Sequence, residues 1–387
     1  MSNRRHHTGQ VLYHCAIVRL GFRLSKPNRP EIYHPRFYDR HIPSFAEAAL
    51  DQRYGSLFSS IPQLGLYSLQ DISTYVEWKE SIIQELFLYR RDKNHITVIN
   101  QGMQVDGAAV QRFADAIFQH EPGTNRLCFH SVDLIKHHQL QKKIFLPISE
   151  DSVIDLPNTE SDYLATLGRS LRQSMQSRLK RTQGLQHKTF PGSAVDAQLL
   201  ERIIAFNHAR MLAKQRYSAI DEAETKRLLT LAHARGVVGT IEINDKLCAG
   251  SLVCRFGDDI FSLLNAHDPS MNKLGLGKLS RHLMILEAIR SGARRFHLLG
   301  GYFNSKRPFG ARRIPLCTLL VYRGRLGMVK DAASLLQLLL QSLDYRLRTF
   351  IEDHKSEATN RLQRSLSISK VSVLPRHQRS VRGLWRE

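Results

Sequence analysis

The sequence predicts an α/β protein with two lobes, followed by a C-terminal helix and a basic tail. The first observation is length: 387 residues exceed what one ordinary hydrophobic core organises, so two domains are expected. The second is patterning, because apolar residues recur with helical spacing in some segments and with strand-like alternation in others. The third is a loop with two glycines near residue 275, which lies between a strand-like and a helix-like segment.

We place the boundaries where the pattern changes. Residues 1–155 form an N-terminal α/β lobe, residues 156–330 a second α/β lobe, and residues 331–387 the helix and basic tail. In the first lobe, "TYVEWKESIIQELFLYRR" is predicted to be helical and "HITVINQ" a strand. "AAVQRFADAIFQH" has the spacing of an amphipathic helix, and "RLCFHSV" follows as a strand.

The second lobe begins with a basic helix, "SDYLATLGRSLRQSMQSRLKR", capped by Ser161 or Asp162. Two more helices precede three strands, "VVGTIEIN", "KLCAGSLVCRF" and "DIFSLLNAHD", which short turns should join into an antiparallel meander. A helix over 276–291, the strand "RRFHLLGG" and a hairpin "CTLLVYRGRLGMV" complete this lobe. The leucines at 335–347 are expected to dock the last helix on the domain rather than in a membrane.

Composition limits the function. The net charge of +21 implies an acidic partner: nucleic acid, anionic lipid, an acidic glycan or a phosphate-rich co-substrate. No apolar run approaches the ~20 residues of a membrane span, and "MSNRRHHTGQ" lacks a signal-peptide core. We therefore expect a cytoplasmic protein with peripheral contact to an anionic membrane or a biosynthetic complex. Five scattered cysteines without CxxC spacing favour reduced thiols and no metal site.

The glycine loop is the strongest candidate site. A Rossmann loop would carry a third glycine where Ser280 stands. A P-loop would have Ser or Thr after its lysine, whereas Leu279 follows Lys278 here. What remains is a loop around Gly275 and Gly277 whose backbone N–H groups open a helix and can bind an anion. The alternative is that both glycines only form a tight turn.

This order of elements resembles the GNAT N-acetyltransferases. Their loop pattern, Arg/Gln-x-x-Gly-x-Gly/Ala, aligns with residues 272–277, with Asn272 in the first position. The stretch ending in "FHLLGGYFNSKRPFG" resembles the CelD/BcsL branch, which is linked to cellulose and other exopolysaccharide production. His297 replaces an aspartate typical of that branch. The resemblance covers about half the chain and implies that the first lobe is a degenerate copy of the same fold. The two-lobed Fem-type peptidyltransferases are more distant relatives.

The resemblance implies acetyl-CoA or another acyl-CoA as co-substrate, with no metal. The implied acceptor is a sugar amine or hydroxyl of a polysaccharide or lipid-linked precursor. The residues implied to bind the co-substrate are Asn265, Ala266, Asn272, Lys273, Leu274, Gly275, Leu276, Gly277 and Lys278. The residues implied to bind the acceptor are Arg172, Lys306 and Arg307.

Acyl transfer requires a base for the acceptor and an acid for the departing thiolate. His267, Glu242 and Asp268 are the candidate bases, and His267 requires the least adjustment because imidazole titrates near pH ~6.5. Tyr302 is the candidate acid. Two other functions stay open: a Fem-like transferase that takes an aminoacyl group from tRNA, and a non-catalytic protein of envelope or polysaccharide assembly.

Overall fold

The computed structural model of the protein describes residues 33–66 and 69–354. The strands in this part of the chain are β1 His34–Tyr38, β2 Ile72–Lys79, β3 Ile82–Asp92, β4 His95–Val98, β5 Gln104–Asp106, β6 Arg126–Ile135, β7 Lys143–Asp155, β8 Leu185–Pro191, β9 Gly236–Ile243, β10 Lys246–Phe256, β11 Asp259–His267, β12 Arg295–His297 and β13 Arg312–Tyr322. The helices are α1 Ala46–Arg53, α2 Ile61–Leu64, α3 Gly107–His120, α4 Glu160–Thr166, α5 Arg169–Arg181, α6 Ala197–Ala213, α7 Glu222–Arg235, α8 Leu276–Arg290, α9 Arg325–Lys330 and α10 Ala332–Asp353.

The strands form one continuous mixed sheet in the order β1-β2-β3-β4-β6-β13-β7-β12-β11-β10-β9-β8, with β5 beside β6. Most neighbours are antiparallel, whereas three pairs are parallel: β4 with β6, β5 with β6, and β11 with β12. The predicted meander of β9, β10 and β11 is confirmed, with the turns where short connections were expected.

The chain contains the same unit twice. In each half, a run of antiparallel strands ends in one that pairs in parallel with the strand after the next long helix: β4, α3 and β6 in the first half, β11, α8 and β12 in the second. The last strand of each half is exchanged, because β13 lies between β6 and β7 while β7 lies between β12 and β13. The long β7–β13 pairing therefore joins the two lobes at the centre of the sheet.

Helices cover both faces of the second lobe. Helices α6 and α7 pack on one face, with Ile203 and Leu231 fully buried. Helices α5 and α8 lie on the other, where Met175 and Leu279 pack together. The first lobe has its own aromatic core, in which the Phe87 and Phe113 rings lie 5.0 Å apart between centroids. The four cysteines of the described residues, Cys128, Cys248, Cys254 and Cys317, are buried free thiols.

Three predicted elements are corrected. "TYVEWKESIIQELFLYRR" is not a helix but the hairpin β2–β3, which turns at Glu80 and Ser81, both with positive φ. Buried residues on both faces of these strands gave the apolar run its helix-like appearance. The predicted basic helix is two helices, α4 and α5, and Thr159 rather than Ser161 or Asp162 is the N-cap. The predicted hairpin "CTLLVYRGRLGMV" is the end of β13 followed by α9.

The orientation of α10 also contradicts the prediction. Its packed side is partly polar: Ser342 is buried, and the Tyr345 hydroxyl donates to Glu150 of β7 over 3.3 Å. Most of its large apolar side chains face outward with 39–60% of their surface exposed, namely Leu336, Leu339, Leu340, Leu343, Leu347, Phe350 and Ile351. The basic tail lies outside the described residues. No helix between residues 33 and 354, with 67–68 left out, combines the length and apolarity needed to cross a bilayer.

Candidate active site

The glycine loop connects β11 to α8 through a short helical turn. Gly275 has φ +65°, the left-handed conformation that glycine adopts at little cost, and it is the N-cap of α8. Leu276 and Gly277 occupy the first two helical positions, where N–H groups have no intrahelical carbonyl acceptor. Because glycine has no side chain to cap them, these two donors and the helix dipole are available to an anion.

The corresponding helix start in the first lobe is closed. The Asp106 carboxylate accepts the N–H of Ala108 over 2.8 Å and pairs with Lys136 over 2.8 Å. A Cβ on Gly107 would lie 2.4 Å from the Lys136 carbonyl oxygen, so backbone covers that position. The first lobe thus satisfies its own helix terminus, whereas the second leaves the equivalent terminus uncapped by a side chain.

Arg178 of α5 binds the backbone of the glycine loop. Its Nη1 donates to the Leu274 carbonyl over 2.6 Å, and its Nε donates to Ser174 over 3.2 Å. A Cβ on Gly275 would lie 1.5 Å from Nη1, so glycine is required for the guanidinium to approach the backbone. The arginine places a positive charge beside the N–H groups of the α8 terminus. Our sequence interpretation noted the basic helix but singled out Arg172 instead.

Strands β11 and β12 separate next to this loop. The two strands pair only from Asp259 to Phe261 on β11, and Leu298 then bonds to Ser152 of β7. The far half of β11, residues 262–267, therefore has one backbone edge that pairs with no strand of the described residues. A bulge between Leu252 and Val253 in the β10–β11 pairing accompanies this divergence. Below, "the cleft" means the space between residues 262–267 and 298–306.

His267 stands at the end of β11 against the glycine loop. Its Nε2 lies 2.8 Å from Oδ1 of Asn272, which assigns the ring proton to Nε2. Its Nδ1 is buried and has no hydrogen-bond partner among the described residues, and a Cβ on Gly277 would lie 3.0 Å from it. Asn265 donates from Nδ2 to the Gly277 carbonyl over 3.1 Å. The structure thus brings His267, Asn265, Asn272 and both glycines together.

The other two candidate bases are engaged elsewhere. Asp268 accepts hydrogen bonds from the N–H and hydroxyl of Ser270, and these bonds lower the pKa of its carboxyl. A lowered pKa makes it a weaker base. Glu242 pairs with Lys188 over 2.6 Å on β9, two strands from His267. Glu242 therefore acts as an ion-pair partner of Lys188 in this structure.

Lys306 is engaged by the backbone that follows β12. It is buried, and its Nζ donates to the carbonyls of Leu299 and Gly300 over 2.6 and 2.7 Å and approaches Ser152 Oγ at 3.4 Å. An ammonium has three N–H groups, so the predicted contact with an acceptor has no spare donor. Leu299 has φ +59°, a strained conformation that this clamp holds. Burial lowers the pKa of Lys306 to about 8.

The remaining predicted residues lie on β11, the glycine loop, α5 and the segment after β12. Ala266 is buried in β11, Lys273 and Lys278 are exposed beside the loop, and Arg172 is exposed on α5. Tyr302 and Arg307 are exposed on the segment after β12. Nothing in these positions assigns proton transfer to Tyr302, which stays a prediction.

A buried charge cluster lies at the join between the lobes. His297 of β12 contacts Asp151 of β7 over 2.6 Å, and its other nitrogen lies 3.4 Å from Asp259 of β11. Asp259 also pairs with Arg295 over 2.5 Å. These carboxylates raise the pKa of His297 against the opposing effect of its burial. From the sequence, His297 could be recognised only as a departure from a motif, because Asp151 and Asp259 are distant from it along the chain. Among the described residues, no three His, Cys, Asp or Glu side chains form a group able to hold a metal.

Comparison with known proteins agrees with this geometry. The model of the acetyltransferase (GNAT) domain family matches residues 169–307, from α5 to the segment after β12. The crystal structure of FemX superposes with a TM-score of 0.57 at 11% identity, over 74% of this chain and 97% of FemX. A conserved protein of unknown function from Bacteroides thetaiotaomicron superposes with a TM-score of 0.50 at 13% identity, over 74% of this chain and 100% of its own. A search of curated proteins gave no match.

These likenesses confirm the predicted fold class of two GNAT-like lobes. The superposition on FemX spans nearly all of that chain and therefore includes both lobes. The family match falls on the lobe with the uncapped helix terminus and ends at Arg307. The second lobe of this protein is therefore a GNAT-type acyltransferase domain.

Proposed function

We propose that the protein transfers an acyl group, with acetyl as the simplest, from acyl-CoA to an amine or hydroxyl of a sugar in a polysaccharide or lipid-linked precursor. The observation that carries the donor is the α8 terminus, where Gly275, Gly277 and Arg178 offer N–H groups and a positive charge to a diphosphate. The acceptor class rests on the resemblance to the CelD/BcsL branch alone.

The residues of the cleft support this chemistry. A thioester supplies an activated acyl group with a good leaving group. The unpaired edge of β11 faces the cleft, and backbone N–H groups there can stabilise negative charge on a carbonyl oxygen. We assign the role of proton acceptor for the attacking amine or hydroxyl to Nδ1 of His267, which has no hydrogen-bond partner among the described residues. Asn272 fixes the ring in the tautomer that this role needs.

Replacing His267 with alanine should lower kcat about 100- to 10,000-fold, the range for loss of a general base. Glu242→Gln serves as the matched control and should change kcat by less than about threefold, because its partner is Lys188. Thiol release from acetyl-CoA would be followed with a panel of amino sugars and neutral sugars as acceptors. Full activity of the alanine variant would assign the base to the substrate itself.

Calorimetric titration with acetyl-CoA, CoA and a longer acyl-CoA tests the donor directly. Binding of acetyl-CoA and CoA with similar affinity is expected, because the loop contacts the shared diphosphate. If none of the thioesters produced a binding signal, the proposed use of acyl-CoA would be wrong. A preference for a longer chain would redefine the acyl group.

A tRNA-dependent, Fem-like reaction is the second candidate. The net charge of +21 suits a polyanionic donor, and the two-lobed fold is shared with FemX. Co-purifying RNA whose release depends steeply on salt, together with no response to acyl-CoA, would favour this candidate.

We also propose that the outward face of α10 contacts an anionic membrane. The face is apolar over most of a 22-residue helix, and Leu326 and Val329 of α9 add exposed apolar surface. Beyond residue 360 the chain is basic in sequence, with Arg361, Arg364, Lys370, Arg376, Arg379, Arg382 and Arg386. An apolar helix face followed along the sequence by basic residues is typical of binding to anionic lipid.

Leu340→Glu combined with Leu347→Glu should weaken binding to vesicles of phosphatidylcholine and phosphatidylglycerol at least about tenfold, because each buried leucine contributes roughly 1.5–3 kcal/mol. Ser334→Glu with Gln337→Glu adds the same charge to exposed polar positions of α10 and should bind far more tightly than the leucine variant. Vesicle flotation would measure both. A dimer that the leucine variant dissociates, without vesicle binding by the wild type, would show that a second copy covers this face.

A further inference from the structure

Two arginines, Arg281 and Arg210, have no carboxylate partner among the described residues, and the charge of one acts on the other. Arg281 lies one turn after Gly277 on α8, and positions i and i+4 share a helix face. Its Nη1 donates to the Ser305 carbonyl over 3.3 Å, so the side chain reaches from α8 to the segment after β12. Its guanidinium carbon lies 5.4 Å from the centre of the Phe309 ring. Arg281 therefore links α8 to the segment that follows β12.

Arg210 approaches from the other face of the sheet. It lies near the end of α6, which packs against β11 on the side opposite α8. Its Nη2 lies 3.4 Å from Asn207 Oδ1, a long hydrogen bond within its own helix. The Nε atoms of both Arg210 and Arg281 are buried without a hydrogen-bond partner in the described part of the chain. Neither guanidinium forms an ion pair with a described carboxylate.

The electrostatic consequence is an excess of positive charge in a partly desolvated place. Burial lowers the pKa of both guanidinium groups, and the charge of Arg210 lowers the pKa of Arg281 further. Lys306 lies near Arg281, and its ammonium is engaged by backbone carbonyls. Other buried charges in the described part of the chain form ion pairs, as Arg112 does with Glu77 and Arg227 with Glu224. A buried charge without a partner destabilises a fold, so its presence indicates a partner that binds.

We propose that Arg281 and Arg210 bind an oxyanion group, phosphate or carboxylate, carried by the acyl acceptor. This inference rests on the proposed transferase function and names the acceptor as an anionic sugar. Guanidinium groups are suited to this role, because they match phosphate and carboxylate with two parallel hydrogen bonds. The site is separate from the diphosphate position: Arg281 lies one helical turn, roughly 6 Å, beyond Gly277.

The test uses the full chain, with glucose 6-phosphate, glucuronate and glucose as probes at constant ionic strength, because a basic protein attracts anions without specificity. Wild-type protein should bind at least one of the two anionic sugars more tightly than glucose, and the tighter one identifies phosphate or carboxylate as the group. Arg281→Gln should weaken that binding at least about tenfold through loss of a charge-assisted pair. Arg210→Gln provides a second variant with the same expectation.

Arg202→Gln is the matched control, since Arg202 is exposed on α6 and the change removes the same charge. Without ligand, Arg281→Gln should melt no lower than the wild type, because an unpaired buried charge is lost. Acetyl-CoA affinity should stay within about threefold in this variant, as its loop contacts are untouched.

Equal weakening by Arg202→Gln and Arg281→Gln would overturn the site, as would equal binding of glucose and both anions. Loss of acetyl-CoA binding in Arg281→Gln would show that Arg281 binds the co-substrate, and it would overturn the proposal that Arg281 binds the acceptor. If the wild type binds no acyl-CoA but shows the arginine-dependent response to an anionic sugar, the transferase proposal fails while the anion site stands.

Discussion

Gly277→Trp is expected to abolish measurable binding of acetyl-CoA, a loss of at least about 100-fold or 2.7 kcal/mol. A Cβ at this position would already lie 3.0 Å from Nδ1 and 3.4 Å from Cε1 of His267. An indole must therefore displace His267 or turn into the cleft, and both outcomes block the second free N–H group of α8. Isothermal titration calorimetry with acetyl-CoA measures the change.

Gly168→Trp is the control for this experiment. Gly168 has φ −59°, and a Cβ there meets no atom within 4 Å, so the same side chain is added at the start of α5 without a clash. The control should bind acetyl-CoA as the wild type does and show the same melting temperature within a few degrees. Equal acetyl-CoA affinity of Gly277→Trp and the wild type would exclude the glycine loop as the diphosphate site.

His297→Gln should lower the free energy of unfolding by about 3–5 kcal/mol, as expected when one partner of a buried ion pair is removed. Asp259 retains Arg295, but Asp151 loses its contact with a cation and stays largely buried. Because β12 is three residues long and joins the two halves of the sheet, the loss falls where the lobes are connected. Urea unfolding followed by circular dichroism measures it.

The contribution of His297 to the free energy of unfolding is expected to depend on pH. The pKa of His297 is raised in the folded protein by Asp151 and Asp259, against the effect of burial. Its contribution to stability is therefore complete below the ordinary value near pH ~6.5 and is lost as pH rises through the raised pKa. The stability difference between wild type and His297→Gln should shrink from pH 6 to pH 9. His208→Gln, an exposed histidine of α6, should show little difference at any pH. A constant difference over this range would contradict a protonated His297.

Much of the fold could be predicted from local patterns of apolar residues in the sequence. The 3.6-residue spacing in "AAVQRFADAIFQH" gave α3, and short turns between apolar runs gave the β9–β11 meander. Both depend on residues close in sequence, so periodicity is sufficient. The same reasoning failed for β2 and β3, because strands buried on both faces lose the alternation that distinguishes them from helices.

Some residues of the candidate site could be predicted from sequence, and others were identified only in the tertiary structure. Gly275 and Gly277 were found from sequence, because both lie within three residues at the start of a helix and Gly275 has the left-handed φ that favours glycine. Arg178, Arg281, Arg210 and the Asp151–His297–Asp259 cluster required the tertiary structure, since their partners lie on other elements. The exchange of β7 and β13 and the outward leucines of α10 are of this kind too. Sequence spacing specifies which side of an element is apolar, but the packing of distant segments decides which surface that side meets and which charges are left for a ligand.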